Sequence, residues 1–98
     1  TMSAVEIEDA ILRHDDVLEA ACIGAPDTAR GHVVKAFLVA KRNNLDLVDE
    51  VQNMVRERLS QHEYPRLIEF VEELPKTPAG KVNRKVLRDR ERSKLEEK

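Results

Sequence analysis

VVKAFLVA, residues 33–40, is the strongest strand signal in this 98-residue chain. The run is rich in β-branched and aromatic residues and is interrupted only by Lys35, a composition typical of a buried strand. Residues 17–23, VLEAACI, indicate a second strand that is largely apolar on both faces. We predict that these two strands form the middle of a sheet. Residues 24–27, which contain a glycine and a proline, predict the turn that ends the first strand, and residues 28–32 predict a polar loop.

A helix is predicted on the N-terminal side of these strands, over residues 4–14. Ser3 followed by Glu6 three positions later has the pattern of a capping box, in which each side chain bonds the backbone N–H of the other residue. Apolar residues then recur at helical spacing, at Ile7, Ala10 and Ile11. Charged residues fill most of the intervening positions, so the helix is expected to pack by one face only.

Two further helices and a short strand are predicted on the C-terminal side. Asp46 is placed to cap a helix that runs to about residue 60, and residues 66–71, RLIEFV, predict a strand bounded by prolines. Asn83 is placed to cap a final, highly charged helix. The second helix would present one face made of Leu47, Val51, Met54, Val55 and Arg58. The order α, β, β, α, β, α predicts an α+β fold, in which a small central β-sheet of about three main strands is flanked by three helices.

Length and composition limit the classes of function. A chain of 98 residues forms one domain, and its core is too small to enclose a deep ligand cavity as well, so any site is expected on the surface or shared with another domain. Charged residues make up 37% of the chain and the formal net charge is −2, which gives no overall bias toward nucleic acid or membranes. The sequence shows neither a membrane-spanning apolar run nor a signal-peptide pattern, so a cytoplasmic protein is expected.

Cysteine and histidine usage argues against disulfide and metal chemistry. Cys22 is the only cysteine, and its place in the apolar run AACIG predicts a buried small side chain rather than a reactive thiol. His14, His32 and His62 are far apart in sequence, and none has a partner at ligand spacing. We therefore predict no metal site.

The stretch LPKTPAGKVNRKVLRD, residues 74–89, sets a single lysine, Lys81, in a turn rich in proline and glycine. Gly80 and Lys81 invite comparison with a phosphate-binding P-loop. That motif needs a glycine where Pro75 stands and a serine or threonine where Val82 stands, so the P-loop interpretation fails. Either the stretch is a rigid connection between a strand and a helix, or it directs an ammonium group at a ligand.

The last helix is basic. Residues 76–94 contain eight lysines and arginines against two acids, Asp89 and Glu91. A solvated terminal helix with ion pairs between neighbouring turns is the simpler interpretation. Nucleic-acid binding by this helix is the alternative, but aromatic side chains that could stack on bases do not accompany it.

The pattern Pro75-x-Thr77-x-x-Gly80-Lys81-x-x-Arg84 resembles the signature that ends the small C-terminal domain of the adenylate-forming enzymes. That superfamily includes acyl-CoA synthetases, adenylation domains of peptide synthetases, and luciferases. Every fixed position of the signature is filled. The segments SAVEIEDAIL, GAPDTARGHVVKAFLVAK and HEYPRLIEFVEELPKT look like successive parts of the same domain, and the similarity is greatest to medium-chain and aryl acyl-CoA synthetases.

The resemblance implies that residues 1–98 are the mobile C-terminal domain, or lid, of an acyl-CoA synthetase whose large N-terminal domain lies outside this chain. Such an enzyme first makes an acyl-adenylate and pyrophosphate from a carboxylic acid and ATP. The small domain then rotates, and the thiol of CoA attacks the adenylate to give acyl-CoA and AMP. Lys81 matches the catalytic lysine that binds ATP and the substrate carboxylate in the first step, where it would neutralise developing charge. The structural positions of the motif would be Pro75, Thr77, Gly80 and Arg84.

The resemblance also implies cofactors and partners. ATP with Mg²⁺ would be bound mainly by the large domain, CoA would be a co-substrate, and the small domain alone would bind none of them. Its protein partner would be its own N-terminal domain in cis. The isolated chain is expected to fold as a monomer and to be inactive, and no nucleic-acid partner is expected.

Three residues match positions that contact CoA in the medium-chain and aryl synthetases, namely Arg30, Arg56 and Tyr64. An arginine can clamp a phosphate through two N–H groups, and a tyrosine ring can stack on adenine. His32 departs from the acidic residue that is common after the glycine of the Arg30 turn, which changes the local charge. Two alternatives stay open, an adenylation domain that acts on a carrier-protein thiol and a non-catalytic adaptor or nucleic-acid-binding module. The stretch HEYPR favours the CoA ligases over the carrier-dependent enzymes.

Overall fold

The computed structural model describes residues 4–59 and 63–96, which form three helices and one three-stranded sheet. In chain order the elements are α1 (Ala4–Ile11), β1 (Val17–Asp27), β2 (Gly31–Ala40), α2 (Leu45–Arg58), β3 (Leu67–Phe70) and α3 (Arg84–Glu96). The sheet has the order β1-β2-β3, with β1 antiparallel and β3 parallel to β2. The predicted α+β fold and its order of elements are confirmed.

The sheet separates two apolar clusters, because successive side chains of a strand point to opposite faces. On one face, α1 and α2 pack against the strands in a cluster that includes Ile11, Cys22, Leu38, Val51 and Val55. On the other face, residues of β1 and β2 meet the segment before α3 and α3 itself in a cluster of Ala21, Ile23, Phe37, Leu74 and Leu87. The helices therefore lie in two layers, one on each side of the sheet.

The predicted turn at residues 24–27 is wrong, because β1 continues through Asp27 and pairs Pro26 with His32. The chain reverses instead through residues 28–30. Asp27 accepts hydrogen bonds from the backbone N–H groups of Ala29 at 3.2 Å and Arg30 at 2.8 Å, which closes the hairpin with an aspartate turn.

The position of β1 in the sheet also differs from the prediction. β2 is the central strand and β1 lies at an edge. The N–H of Cys22 points away from β2 and donates to the carboxylate of Glu8. Pro26 lies four residues further along β1, so its nitrogen points to the same side of the strand as that of Cys22. Proline is tolerated at such a position because its nitrogen faces outward and no ladder hydrogen bond is lost.

The helix ends differ from the predictions by a few residues. α1 ends at Ile11 rather than at residue 14, and the proposed capping residue Ser3 lies outside the described residues. The cap of α2 is Asn44 and not Asp46, since the side chain of Asn44 accepts a hydrogen bond from the N–H of Leu47 at 2.9 Å. Asp46 occupies the first turn instead, where an acid complements the positive end of the helix dipole.

The predicted apolar face of α2 is correct in its centre only. Leu47, Val51 and Val55 are fully buried, whereas Met54 is half-buried and Arg58 is exposed. α2 ends at Arg58, and residue 60, where the end was predicted, lies outside the described residues.

β3 lies within the predicted strand at residues 66–71 and is shorter by one residue at each end. The N–H groups of Arg66 and Val71 still bond to carbonyls of β2, at 3.0 Å to Val34 and 2.9 Å to Leu38. Within residues 4–59 and 63–96, no helix has the length and apolar character needed to cross a membrane.

Candidate functional site

Residues 75–83, here called the lysine hairpin, fold back on themselves before α3. Lys76 and Val82 form an isolated antiparallel bridge. The N–H of Thr77 donates to the carbonyl of Lys81 at 2.7 Å, and the N–H of Asn83 donates to the carbonyl of Pro75 at 2.8 Å. These cross-links make the segment a small structured unit rather than a loose connection.

The tip of the lysine hairpin explains its proline and glycine. The N–H of Gly80 donates to the carbonyl of Thr77 at 2.8 Å, so residues 77–80 form a β-turn with Pro78 at its second position, where the fixed φ of proline suits the turn. Gly80 has φ +85°, a left-handed conformation that side chains disfavour, although nothing lies within 4 Å of the place where a Cβ would stand. The glycine is therefore required for its backbone conformation and not for space.

Lys81 leaves this turn with its side chain in solvent. The residue is exposed, and its ammonium group makes no hydrogen bond or ion pair within the part of the chain that the structure describes. Lys76, in the same hairpin, differs because it pairs with Glu19 at 2.9 Å. The backbone at Lys81 is held while its charge stays available for a ligand that comes from outside the domain.

The base of the lysine hairpin is joined to the body of the domain by buried contacts. Leu74 is 4% exposed and Leu87 is 1% exposed, and the two belong to one apolar cluster. Asn83 caps α3, as predicted, because its side-chain oxygen accepts a hydrogen bond from the N–H of Val86 at 3.3 Å. Arg84, the first residue of α3, donates two hydrogen bonds to Glu8.

The three residues predicted to contact CoA are brought together elsewhere on the surface. The guanidinium of Arg56 lies over the ring of Tyr64, 4.2 Å from its centroid. Arg30 and Tyr64 both line an open pocket of about 400 Å³ at the turn end of the β1–β2 hairpin. Side chains that are distant in sequence thus form one continuous basic and aromatic surface.

Arg66 also belongs to this surface, although it was not among the residues predicted to contact CoA. Its guanidinium lies 5.0 Å from the ring centroid of Tyr64 and donates a hydrogen bond to the tyrosine hydroxyl at 3.1 Å. The stretch HEYPR contained the signal, since an arginine two residues after a tyrosine points to the same side of an extended chain. We call Arg30, Arg56, Tyr64 and Arg66 the arginine–tyrosine cluster.

His32 lines the same pocket as Arg30 and Arg66, together with Gly24, Val33, Val34 and Tyr64. The acidic residue that the family resemblance led us to expect at position 32 would have placed a negative charge among these arginines. With histidine there, no acid lines the pocket within the part of the chain that the structure describes. The pocket is therefore suited to an anion.

The lysine hairpin and the arginine–tyrosine cluster lie near opposite ends of β1. Lys76 of the hairpin pairs with Glu19 near the start of that strand, and Arg30 follows Asp27 at its end. At about 3.3 Å per residue, the strand between Glu19 and Asp27 is about 26 Å long. The two regions are therefore treated as separate surfaces of the domain.

The charges of α3 are largely satisfied within the domain. Lys85 pairs with Asp89 at 2.9 Å, and Arg92 also pairs with Asp89. Lys94 bonds Glu91 at 3.1 Å on the same helix and Glu69 of β3 at 2.6 Å. This arrangement supports the interpretation of α3 as a solvated helix more than that of a nucleic-acid-binding surface.

Lys35, which interrupts the apolar run of β2, lies at the centre of these contacts. It is 8% exposed and bonds Glu69 at 2.9 Å and Glu91 at 2.6 Å. Burial alone would raise the pKa of each carboxyl, but hydrogen bonds from Lys35 and Lys94 outweigh it, so the pKa of Glu69 and that of Glu91 both lie below the ordinary 4.5. The buried lysine ties β2, β3 and α3 together.

The structure also tests the predictions about cysteine. Cys22 is 2% exposed, and burial, with a smaller effect of the neighbouring Glu8 carboxylate, raises the pKa of its thiol to about 12. The thiol is thus protonated and inert, as predicted.

No group of three or more His, Cys, Asp or Glu side chains in residues 4–59 and 63–96 is arranged to hold a metal ion.

The sequence model of one protein family, described as AMP-binding enzyme C-terminal domain, matches residues 6–81. The chain belongs to this family. The match covers most of the chain and includes both the arginine–tyrosine cluster and Lys81. The resemblance found in the sequence is confirmed.

Relatives of this AMP-binding C-terminal domain are acyl-CoA ligases. The chain is 46% identical over 92 residues to 4-hydroxybutyrate--CoA ligase 1 of Metallosphaera sedula, an alignment that covers 91% of this chain. It is 45% identical over 91 residues to the mitochondrial acyl-coenzyme A synthetase ACSM4 of Rattus norvegicus, with 88% of this chain covered. The chain spans only 16% of the length of each of these relatives.

Solved structures give the same result. The acyl-CoA synthetase of Brucella canis matches 96% of this AMP-binding C-terminal domain with a TM-score of 0.91 and 42% identity. The benzoate CoA ligase of Burkholderia xenovorans matches 89% of it with a TM-score of 0.81 and 42% identity. In both comparisons the chain corresponds to 18% of the larger protein.

Proposed function

We propose that residues 1–98 are the C-terminal mobile domain of an ATP-dependent acyl-CoA synthetase, which supplies the lysine for acyl-adenylate formation and part of the CoA site. The observation that carries this proposal is the exposed, unpaired ammonium group of Lys81 on a braced hairpin. Membership of the AMP-binding C-terminal domain family and similarity to acyl-CoA ligases support the type of reaction.

Lys81 would act in the first half-reaction. When the carboxylate attacks the α-phosphorus of ATP, negative charge accumulates on phosphate oxygens beside the carboxylate, and a positive charge between the two stabilises the transition state. A lysine suits this task because its compact charge sits on a flexible stem and can cross a domain interface. The hairpin holds its backbone, so the side chain alone has to adjust.

The arginine–tyrosine cluster would act in the second half-reaction. Its arginines can bind the phosphates of CoA, and Tyr64 can pack against the adenine. The lysine hairpin contacts the start of β1 through Lys76 and Glu19, whereas Arg30 follows the end of that strand, and this separation supports a division of labour in which the domain presents one region in each step. A carrier-protein thiol needs no nucleotide site, so the cluster favours CoA as the acceptor.

The remaining components would come from outside the chain. The N-terminal domain, joined in cis, would bind the carboxylic acid and most of ATP with its Mg²⁺, and the small domain alone would bind neither nucleotide stably. The 98-residue chain should therefore fold as a monomer and make no acyl-adenylate. The length of the relatives, of which this chain spans 16%, supports such a division.

The two half-reactions of the complete enzyme test the proposal. Lys81→Ala should slow acyl-adenylate formation by about a hundred- to a thousandfold, the effect of about 3 to 4 kcal/mol that one positioned charge typically contributes. Thioester formation from supplied acyl-adenylate and CoA should continue at the normal rate. Lys85→Ala is a matched control, because Lys85 is exposed and pairs with Asp89 on its own helix.

Three other outcomes of these assays would contradict parts of the proposal. Normal adenylation by Lys81→Ala would reduce Lys81 to an ordinary turn residue and would contradict the proposal. An equal loss in both half-reactions would assign the residue to folding or to domain docking. Pyrophosphate release by the isolated 98-residue chain would show that the site does not need a second domain.

A further inference from the structure

Glu8 is an almost buried carboxylate, 7% exposed, that connects three parts of the domain. It lies on α1 and accepts a hydrogen bond from the N–H of Cys22 on β1 at 2.7 Å. It also accepts two bonds from Arg84, one from Nε at 3.1 Å and one from Nη2 at 2.5 Å. Both carboxylate oxygens meet the guanidinium, which is the paired geometry that gives an arginine a fixed orientation.

This contact crosses the edge of the sheet. α1 and α3 lie on opposite faces, and the N–H of Cys22 points outward from the free edge of β1. Glu8 reaches that edge from one face and Arg84 reaches it from the other. The ion pair is therefore the place where the two helix layers are joined around β1.

Arg84 is also where the lysine hairpin ends and α3 begins. The hairpin is braced internally by bonds between Thr77 and Lys81 and between Pro75 and Asn83, so its residues form one structured unit. Its direction depends on its base, which is held by the buried Leu74 and Leu87 and, at Arg84, by the two hydrogen bonds to Glu8. A small change in the orientation of the base would therefore displace Lys81 near the tip of the hairpin.

We infer that Glu8 is a positioning residue for Lys81, acting through Arg84 and the lysine hairpin. This inference rests on the proposed role of Lys81 in adenylation. A displacement of about 1 Å at a reacting group can cost about a hundredfold in rate. The intact pair adds little net stability once its desolvation is counted, although removing one partner alone destabilises a fold, so the test has to separate positioning from stability.

The test is a double-mutant cycle in the complete enzyme. In Glu8→Gln, the amide can still accept the bond from Cys22 but presents an N–H₂ group, or a single oxygen, to Arg84. We expect Glu8→Gln to slow single-turnover adenylation by about ten- to a hundredfold, with the KM for ATP and the thioester half-reaction unchanged. In a Lys81→Ala background the same substitution should cost nothing more, because Glu8 acts only through Lys81.

Arg84→Lys gives an independent measurement if Glu8→Gln folds poorly. It keeps the positive charge but cannot bridge both oxygens of Glu8, so it should show the same loss in adenylation and the same lack of effect beside Lys81→Ala. Lys85→Gln is the matched control, since Lys85 is the next residue on α3 and its side chain is 77% exposed. It should behave as the unmodified enzyme.

The outcomes separate this inference from the proposed function. If Glu8→Gln lowers the adenylation rate by the same factor with and without Lys81→Ala, its role is purely structural and the inference is wrong. The same holds if Glu8→Gln slows both half-reactions equally. Normal adenylation by Glu8→Gln and Arg84→Lys, with Lys81→Ala impaired, would overturn it and leave the function of Lys81 intact. Normal adenylation by Lys81→Ala would contradict both the proposed function of Lys81 and the inference about Glu8.

Discussion

Thr77 and Lys81 are joined by two hydrogen bonds that run in opposite directions. The N–H of Thr77 donates to the carbonyl of Lys81 at 2.7 Å, and the N–H of Lys81 donates to the hydroxyl of Thr77 at 3.3 Å. The first bond requires only a backbone, whereas the second requires a hydroxyl at position 77. The side chain of Thr77 thus helps to hold the residue that we propose as catalytic.

Removal of the Thr77 hydroxyl should therefore weaken adenylation modestly. Thr77→Val keeps the size and branching of the side chain and deletes one hydrogen bond, which is worth about 0.5 to 1.5 kcal/mol, or about a two- to tenfold fall in adenylation rate. Thr77→Ser should restore the rate because it restores the hydroxyl. A Ser variant as slow as the Val variant would show that the methyl group, and not the hydroxyl, is what matters.

Two glycines offer a matched comparison of the two proposed surfaces. Gly31, with φ +80°, closes the turn beside Arg30, and Gly80, with φ +85°, precedes Lys81; both have open space where a Cβ would stand. Alanine at either position should cost about 1 to 2 kcal/mol of stability from backbone strain alone, seen as similar shifts in urea unfolding. Gly80→Ala should then slow adenylation, and Gly31→Ala should raise the KM for CoA.

The comparison of Gly80→Ala with Gly31→Ala tests whether the two hairpins serve different half-reactions. If both alanine variants impair the same half-reaction, the two hairpins do not serve separate steps. If neither impairs any step despite the expected loss of stability, the turns are structural only.

The arginine–tyrosine cluster should determine the affinity for CoA. Arg30→Gln and Arg56→Gln each remove a positive charge and should raise the KM for CoA about tenfold, the effect of losing one charge-assisted hydrogen bond, while adenylation stays normal. Arg58→Gln is the control, because Arg58 lies on the same helix as Arg56 and is exposed. An unchanged KM in both cluster variants would favour a carrier-protein thiol as the natural acceptor.

Acid should destabilise the domain through the carboxyls around Lys35. Glu69 and Glu91 have pKa values below 4.5 in the folded state, because hydrogen bonds from Lys35 and Lys94 outweigh the effect of burial. Groups of this kind contribute stability that is fully present above the unfolded pKa and is lost as the pH falls through the folded pKa. The urea midpoint should therefore decrease as the pH is lowered below about 4.5.

Lys94→Gln isolates this effect from that of other carboxyls. The substitution removes one hydrogen bond to each of Glu69 and Glu91, so their folded pKa values should rise toward 4.5 and the dependence on pH should flatten. An identical pH dependence in the variant and the unmodified chain would show that these two carboxyls contribute nothing to acid unfolding.

The sequence was sufficient to predict the fold class, the lysine turn and the nature of Cys22, because each depends on residues close together in the chain. Apolar runs and caps are local signals, and so are turn residues such as Gly80. The error at residues 24–27 has a physical origin: a proline usually ends a strand, but at an outward-facing position of an edge strand it costs no ladder bond. Which strand lies at an edge depends on the whole sheet.

The side-chain networks could not be predicted for a related reason. Glu8 and Arg84 are separated by 76 positions, and Lys35 and Glu91 by 56, so only the packed fold brings them together. Arg66 was closer to being predictable, because it lies two positions from Tyr64, which was predicted to contact CoA. The family resemblance matched Arg56 and Tyr64 to positions that contact CoA, but no spacing in the sequence predicted that the two side chains stack.

The two exposed edges of the sheet affect how readily the chain associates with other molecules. An edge strand as long as the eleven residues of β1 would normally recruit strands of other molecules and start aggregation. Here Pro26 offers no donor along that edge, and Glu8 occupies the N–H of Cys22. The opposite edge, β3, has only four residues. A domain that swings between two poses, as we propose for this one, would therefore expose two sheet edges that offer few free N–H groups to a strand of another molecule.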